Sequence, residues 1–166
     1  MAEALLINRN DLVKFTSLNG NVDTDKFVQY IKIAQDIHLQ NIIGTRLLNK
    51  VKDDIENATL AGDYLTLVTD YIKPVLIHFA MVEYLPWAAY TVANKGVYKH
   101  GAENSESVDK NEVDFLVEKE RQTAQNYAER LNDYICYNQN LFPEYNENSN
   151  GDVSPDSDNY FIGWVL

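Results

Sequence analysis

Three histidines, one cysteine and a short run of carboxylates are the residues of this 166-residue chain whose types could do chemistry. His38, His78 and His100 make no metal pair. Two imidazoles on one helix face need four-residue spacing, as in H-E-x-x-H, and these histidines lie much further apart. His78 stands five residues before Glu83, and acid–base work would need the two to converge in an open pocket. Packing or hydrogen bonding is the plainer expectation for His38 and His78. Asp53, Asp54 and Glu56 offer oxygen ligands, but adjacent carboxylates on a helix read as a solvated face, and no EF-hand glycine follows them. Cys136 is alone, which excludes an internal disulfide and a cysteine-based zinc site. On its helix it reads as a small apolar filler. Neither a phosphate-cradling glycine loop nor a G-x-S-x-G elbow is present. The expectation is a protein that is not an enzyme and takes no cofactor or metal.

Charge narrows the partners. Fourteen Lys and Arg against 25 Asp and Glu leave a formal net charge of −11. Such a surface repels phosphates, so a nucleic-acid-binding module is not expected, although a wall past which DNA slides would suit this sign. Apolar residues make up 45% of the chain, an ordinary globular fraction, and the length favours one domain. Met1 to Ile7 has no basic start and meets Asn8 and Arg9 at once, unlike a secretory leader. No uninterrupted apolar run reaches about 18 residues, so no membrane partner is expected. The reading is of a protein made in a cytoplasm.

The elements that must position these residues are helices. The longest apolar stretch is Tyr64 to Ala93, with Leu65, Val68, Ile72, Val75, Leu76, Phe79 and Val82 at helical spacing. Tyr64, Leu67, Tyr71, Ile77, Met81 and Tyr84 spread over the other side, so the stretch should be buried on most sides. Pro74 and Pro86 predict breaks or kinks, giving two or three pieces end to end. Before it, Leu5 to Ile7 reads as extended, with a brief helix from about Asn10 capped by Asn8 or Asn10. A first substantial helix comes after the turn at Asn19-Gly20-Asn21, with Phe27, Tyr30, Ile31, Ala34, Ile37 and Ile42 inward. Gly44 suits a left-handed helix end, and Thr45 can cap the next helix, which buries Leu47, Leu48, Val51 and Ile55. After Ala93 a loop is expected through about Val108. Asp109 with Glu112 resembles a capping box opening a helix of about 30 residues, roughly 45 Å long, that Pro143 ends. Its seam is Val113, Val117, Glu120, Ala124, Tyr127, Leu131 and Tyr134. The predicted class is all-α: a compact bundle of about five helices over 1–145, a long helix near its end, and an extended tail over 146–166.

Two stretches look made for partners. Lys95 and Lys99, beside His100, form a local positive patch in an acidic chain and could set register against an acidic neighbour. Tyr160, Phe161, Ile162, Trp164, Val165 and Leu166 form an apolar segment behind a polar tether, Asn146 to Asn159, that should not bury anything itself. Left in water, the segment forgoes roughly 1.5–3 kcal/mol per large side chain, so docking is expected. A tether of about 14 residues would reach some 45 Å if extended.

Several segments, in order, resemble a known group. Asp25-Lys26-Phe27 through Ile31, then Ala34-Gln35-Asp36, then Ile42-Ile43-Gly44-Thr45-Arg46-Leu47-Leu48 is similar to the opening of tailed-phage head–tail connector (adaptor) proteins. Tyr71-Ile72-Lys73-Pro74, the helix over Ala124 to Leu131, Phe142-Pro143-Glu144-Tyr145 and the late Phe161-x-Gly163-Trp164 extend the likeness, which is nearest to the branch in crAss-like phages. The resemblance implies a homo-oligomeric, dodecameric ring at the head–tail junction of the virion. Its partners would be the portal protein and adjacent neck or tail ring proteins, with DNA passing through without specific binding. A different reading is a soluble acidic binding module, such as a phage-encoded inhibitor of a host protein, whose charge imitates nucleic acid.

Overall fold

The computed structural model describes residues 4–18, 25–88, 90–93, 96–99, 109–147 and 151–156, and of 25, 26, 91–93 and 96–99 the backbone alone. The architecture is an all-α bundle with one small hairpin beside it. Helix α1 is Arg9–Phe15. Asn8 caps it, accepting from the Asn10 and Asp11 amides while the Asp11 carboxylate accepts from the Asn8 amide. Helix α2, Asp25–Ile33, runs through a π-helical turn, Ala34–Leu39, into α3, Gln40–Glu56. Helix α4, Gly62–Thr66, does the same through Leu67–Ile72 into α5, Lys73–Tyr84. Helix α6 is Lys110–Tyr137 and α7 is Pro143–Asn146.

Helix α5 is the centre, packed against α1, α2, the first π turn and α6. Val75 and Leu76 on it are fully buried, as is Ile72 just before it. Phe27, Ile31, Ala34, Leu48, Phe79 and Leu131, all expected inside, are also buried. Helix α6 lies antiparallel to α5: Tyr71 stacks on Tyr134 at 3.9 Å, while His78, further along α5, meets Glu120, nearer the start of α6. Asp109 and Glu112 form the expected capping box. The stretch Gly62–Trp87 is long and apolar enough to cross a membrane by length and composition, and its place in the middle of the bundle accounts for that composition.

Pro74 does not break the helix. In the π turn before it, the Lys73 amide reaches back five residues to the Val68 carbonyl. The wider turn displaces the carbonyl that the proline ring would strike, and Pro74 sits at the second position of a fresh α-helical segment, where no amide is missed. Pro86 does mark an end. The backbone tightens to a 3₁₀ turn over Leu85–Trp87 and leaves the helix there.

Each π turn also inserts a residue and rotates the remainder of its helix by about 100°. Ile37, expected inside, is therefore 54% exposed, while Gln35 and Leu39 are fully buried. Leu65, expected inside, is 43% exposed, and Leu67 is fully buried. Beyond Trp87 the expected helix and loop are replaced by strands β1, Tyr90–Ala93, and β2, Gly96–Lys99, paired antiparallel with Tyr90 opposite Lys99 and Ala93 opposite Gly96. Pro143 does not end the long helix. That helix stops at Tyr137, and the proline opens α7.

Part of the expected tether is also built into the bundle. The side chains of residues 151–156 are too polar for a core, but their backbone supplies the contacts. The Thr45 amide donates to the Val153 carbonyl at 3.0 Å, and the Asp156 amide donates to the Asn41 carbonyl at 2.7 Å. Nearby, Arg46 donates to the Glu147 carbonyl at 2.7 Å. This strap crosses α3 at Gly44, whose φ of 78° and ψ of 161° interrupt the helix. A Cβ there would stand 2.8 Å from Pro155 Cδ, so glycine is needed for both the backbone angle and the close approach.

Candidate functional site

The histidines and carboxylates come together as two separate pairs. His38, in the first π turn, lies with Nε2 2.8 Å from Glu83 Oε1, and His78 Nδ1 lies 2.7 Å from Glu120 Oε2. A carboxylate only accepts, so each ring nitrogen is the donor. Each imidazole is also stacked within 7° of parallel on a ring: His38 on Phe79 at 4.1 Å, His78 on Tyr127 at 5.3 Å. The convergence of His78 with Glu83 that acid–base work would need does not occur, and both His38 and His78 are packed and hydrogen-bonded as expected. Five residues on a helix put them on opposite flanks of α5, where each finds a partner on a different neighbour. These pairs tie α5 to the π turn on one side and to α6 on the other. The charged interruption that the sequence showed at Glu120 is thereby explained.

The other candidates sort by geometry. Asp54 is not a solvated carboxylate. Its side chain accepts from Lys50 and from the Thr59 hydroxyl, its carbonyl accepts the Thr59 and Leu60 amides, and the Lys50 bond above all holds its carboxyl below the usual range. It closes the turn after α3, while Asp53 and Glu56 face solvent. Among the described residues no group of three or more His, Cys, Asp or Glu could hold a metal ion. Cys136 is exposed and is not core filler: it comes directly after the buried Ile135 and is turned about 100° away from the seam. Tyr160, Phe161, Ile162, Trp164, Val165, Leu166 and Lys95 lie outside the described residues. So does His100, and of Lys99 only the backbone in β2 is described.

A cleft of about 290 Å³ opens between the first π turn and α6. Ile37, His38 and Phe79 form one side, Arg121 and Asn132 come from α6, and Asp156 of the strap stands at its edge. Asn132 is 6% exposed, and its Oδ1 has no hydrogen-bond partner among the described residues. Sequence reading missed this cleft. Asn132 is adjacent to Leu131 on the seam, but the cleft around it is assembled from the distant π turn, α5 and the strap.

A second surface lies where α5 leaves the bundle and α6 enters it. The antiparallel pairing brings Trp87 to the same end as Phe115 and Leu116, and Tyr90 opens the hairpin three residues after Trp87. All four are large and exposed, Trp87 at 52% and Phe115 at 59%.

The fold thus defines an all-α bundle closed by a backbone strap, with two structural histidine–carboxylate pairs. Residues 39–155 match the model described as a family of unknown function (DUF6712), and the chain belongs to that family. The match begins at the end of the first π turn and includes both Gly44 and Pro155. No curated protein and no solved structure matches the chain.

Proposed function

We propose that this chain is a structural virion protein, one subunit of a ring between the portal and the tail of a tailed phage. The ring extends the DNA channel and offers a platform for the next neck or tail component. The observation that carries the assembly part is the exposed apolar end formed by Trp87, Tyr90, Phe115 and Leu116. Large exposed apolar side chains grouped at one end favour a protein contact. The resemblance over Asp25 to Leu48 and at Phe142-Pro143-Glu144-Tyr145 supports the particular setting, and a net charge of −11 suits a wall that DNA passes without adhering. In this reading Lys95 and Lys99 meet an acidic neighbour, and the segment Tyr160 to Leu166 engages the adjacent ring component.

Mass measurement of the purified protein, alone and with the portal protein, tests the reading. A ring, or an assembly that needs the portal, is the expected result, and Phe115→Glu with Leu116→Glu should abolish it while leaving the subunit folded. A monomer that ignores the portal and instead holds a host protein supports the inhibitor reading.

A further inference from the structure

The cleft beside Asn132 is built around a polar atom that nothing described satisfies. A buried acceptor left without a donor is destabilising, so the Asn132 Oδ1 calls for a donor to arrive from elsewhere. The other walls are specific about what that donor should be attached to. Ile37 and Phe79 offer apolar surface, and Arg121 stands at the rim as a cation that an aromatic face attracts. A volume of about 290 Å³ takes one large aromatic side chain and not a whole segment. An aromatic ring that donates a hydrogen bond suits these walls.

The chain carries such a group close by. Its two tryptophans are Trp87 and Trp164, and an indole has one N–H donor and no acceptor. Trp87 is accounted for at the far end of α5, whereas Trp164 lies eight residues past the strap. The strap pins Asp156 to the Asn41 carbonyl at 2.7 Å, and both Asn41 and Asp156 line the cleft. Eight residues reach at most about 29 Å, enough to turn back into a cleft whose edge is the starting point. Only residues 157–159 separate the pinned Asp156 from the apolar segment, so the reach toward other molecules is much shorter than a 14-residue tether would give.

We propose that the cleft between the π turn Ala34–Leu39 and α6 is, in the free subunit, the seat of one side chain from the chain's own segment Tyr160–Leu166, that of Trp164. Trp164 fills the cleft and its indole N–H donates to Asn132 Oδ1. The strap is the device that delivers the segment there. This seating stands without the ring reading. If the ring reading also holds, assembly must withdraw the segment from its own subunit before a neighbour can take it.

The test uses the full chain carrying Trp87→Phe, which leaves Trp164 as the only indole. Its emission should be blue-shifted and poorly quenched by acrylamide, equally at every protein concentration. Gln125 of α6 also lines the cleft; Gln125→Phe, which fills part of it, and Asn132→Leu, which removes the acceptor at similar volume, should each increase quenching several-fold. Helical content should stay unchanged, and Gln125→Phe keeps the test open if Asn132→Leu disturbs the fold. Quenching of Trp164 as free as in the denatured chain overturns the proposal, because the cleft then holds water only. Protection that grows with concentration also overturns it, since the segment would then be docking on a second copy. Neither result bears on whether the protein joins a phage neck.

Discussion

Thr45 and Val153, 108 residues apart, exchange two hydrogen bonds: the Thr45 amide donates to the Val153 carbonyl at 3.0 Å, and the Val153 amide donates to Thr45 Oγ1 at 2.8 Å. The break at Gly44 leaves the next amides along the helix without partners one turn back, and the strap supplies a carbonyl to one of them. Thr45 does not act as the helix cap its type suggested. Its hydroxyl is occupied by Val153 and by Gln40, whose side-chain amide donates to it at 2.8 Å.

Replacing Gly44 should release the strap. Gly44→Ala puts a Cβ 2.8 Å from Pro155 Cδ and forces alanine to a φ of 78°. The backbone angle alone should cost about 1–3 kcal/mol in thermal or urea unfolding. Proteases should also cut within residues 147–156 faster than in the parent. Adding Pro155→Ala removes the clash but not the angle, so it should recover part of the loss. An unchanged melting curve for Gly44→Ala would contradict the strap.

The two histidine pairs should behave as independent ties. Double-mutant cycles for His38 with Glu83, and for His78 with Glu120, should each give a coupling energy of about 0.5 kcal/mol or more. The cycle for His78 with Glu83 should give none within error. Coupling between His78 and Glu83 would restore the joint site that the geometry separates.

Leu76→Ala and Leu65→Ala test the rotation made by the second π turn. Simple helical spacing puts both on one buried face, yet Leu76 is fully buried and Leu65 is 43% exposed. Leu76→Ala should lose about 2–5 kcal/mol, the range for a core cavity. Leu65→Ala should change stability by no more than about 0.5 kcal/mol. Equal losses would mean the face is continuous.

Alkaline pH should unfold the bundle through its tyrosines. Burial above all raises the hydroxyls of Tyr30, Tyr64, Tyr84, Tyr134 and Tyr145, the last to about 12, and Tyr64 also donates to Glu144 at 2.6 Å. Above about pH 10 the unfolded chain releases tyrosine protons that the folded chain keeps, so stability falls as pH rises. Below that, both states hold the protons and these groups add no slope. Tyrosinate absorbance should lag an unfolded control, and Tyr64→Phe should flatten the fall. Ionisation of all tyrosines at the ordinary midpoint, with the fold intact, would contradict this.

Local features were legible in the sequence. The Asn8 and Asp109 caps, the positive φ at Gly44 and the buried face of α5 are each dictated by a few neighbouring residues, although the Gly44 ψ of 161° is extended and not that of a left-handed helix end. The π turns did not announce themselves, because the residues that make them, Ala34–Leu39 and Leu67–Ile72, are as good for an α-helix. Their effect is a phase shift, seen in Ile37, Leu39, Leu65 and Leu67. The hairpin at Tyr90 was hidden because the apolar run continues into it. The strap was hidden because it binds through backbone groups, which leave no trace in residue type. Asn132 could be placed beside the seam, but nothing in its own neighbourhood marked it as facing a cleft.

Cryo-electron microscopy of purified phage particles that encode this chain is the most direct measurement of its proposed role. A closed ring of these bundles at the head–tail junction, beneath the portal and around the DNA channel, is the predicted result. Particles whose neck is complete without this protein would contradict it.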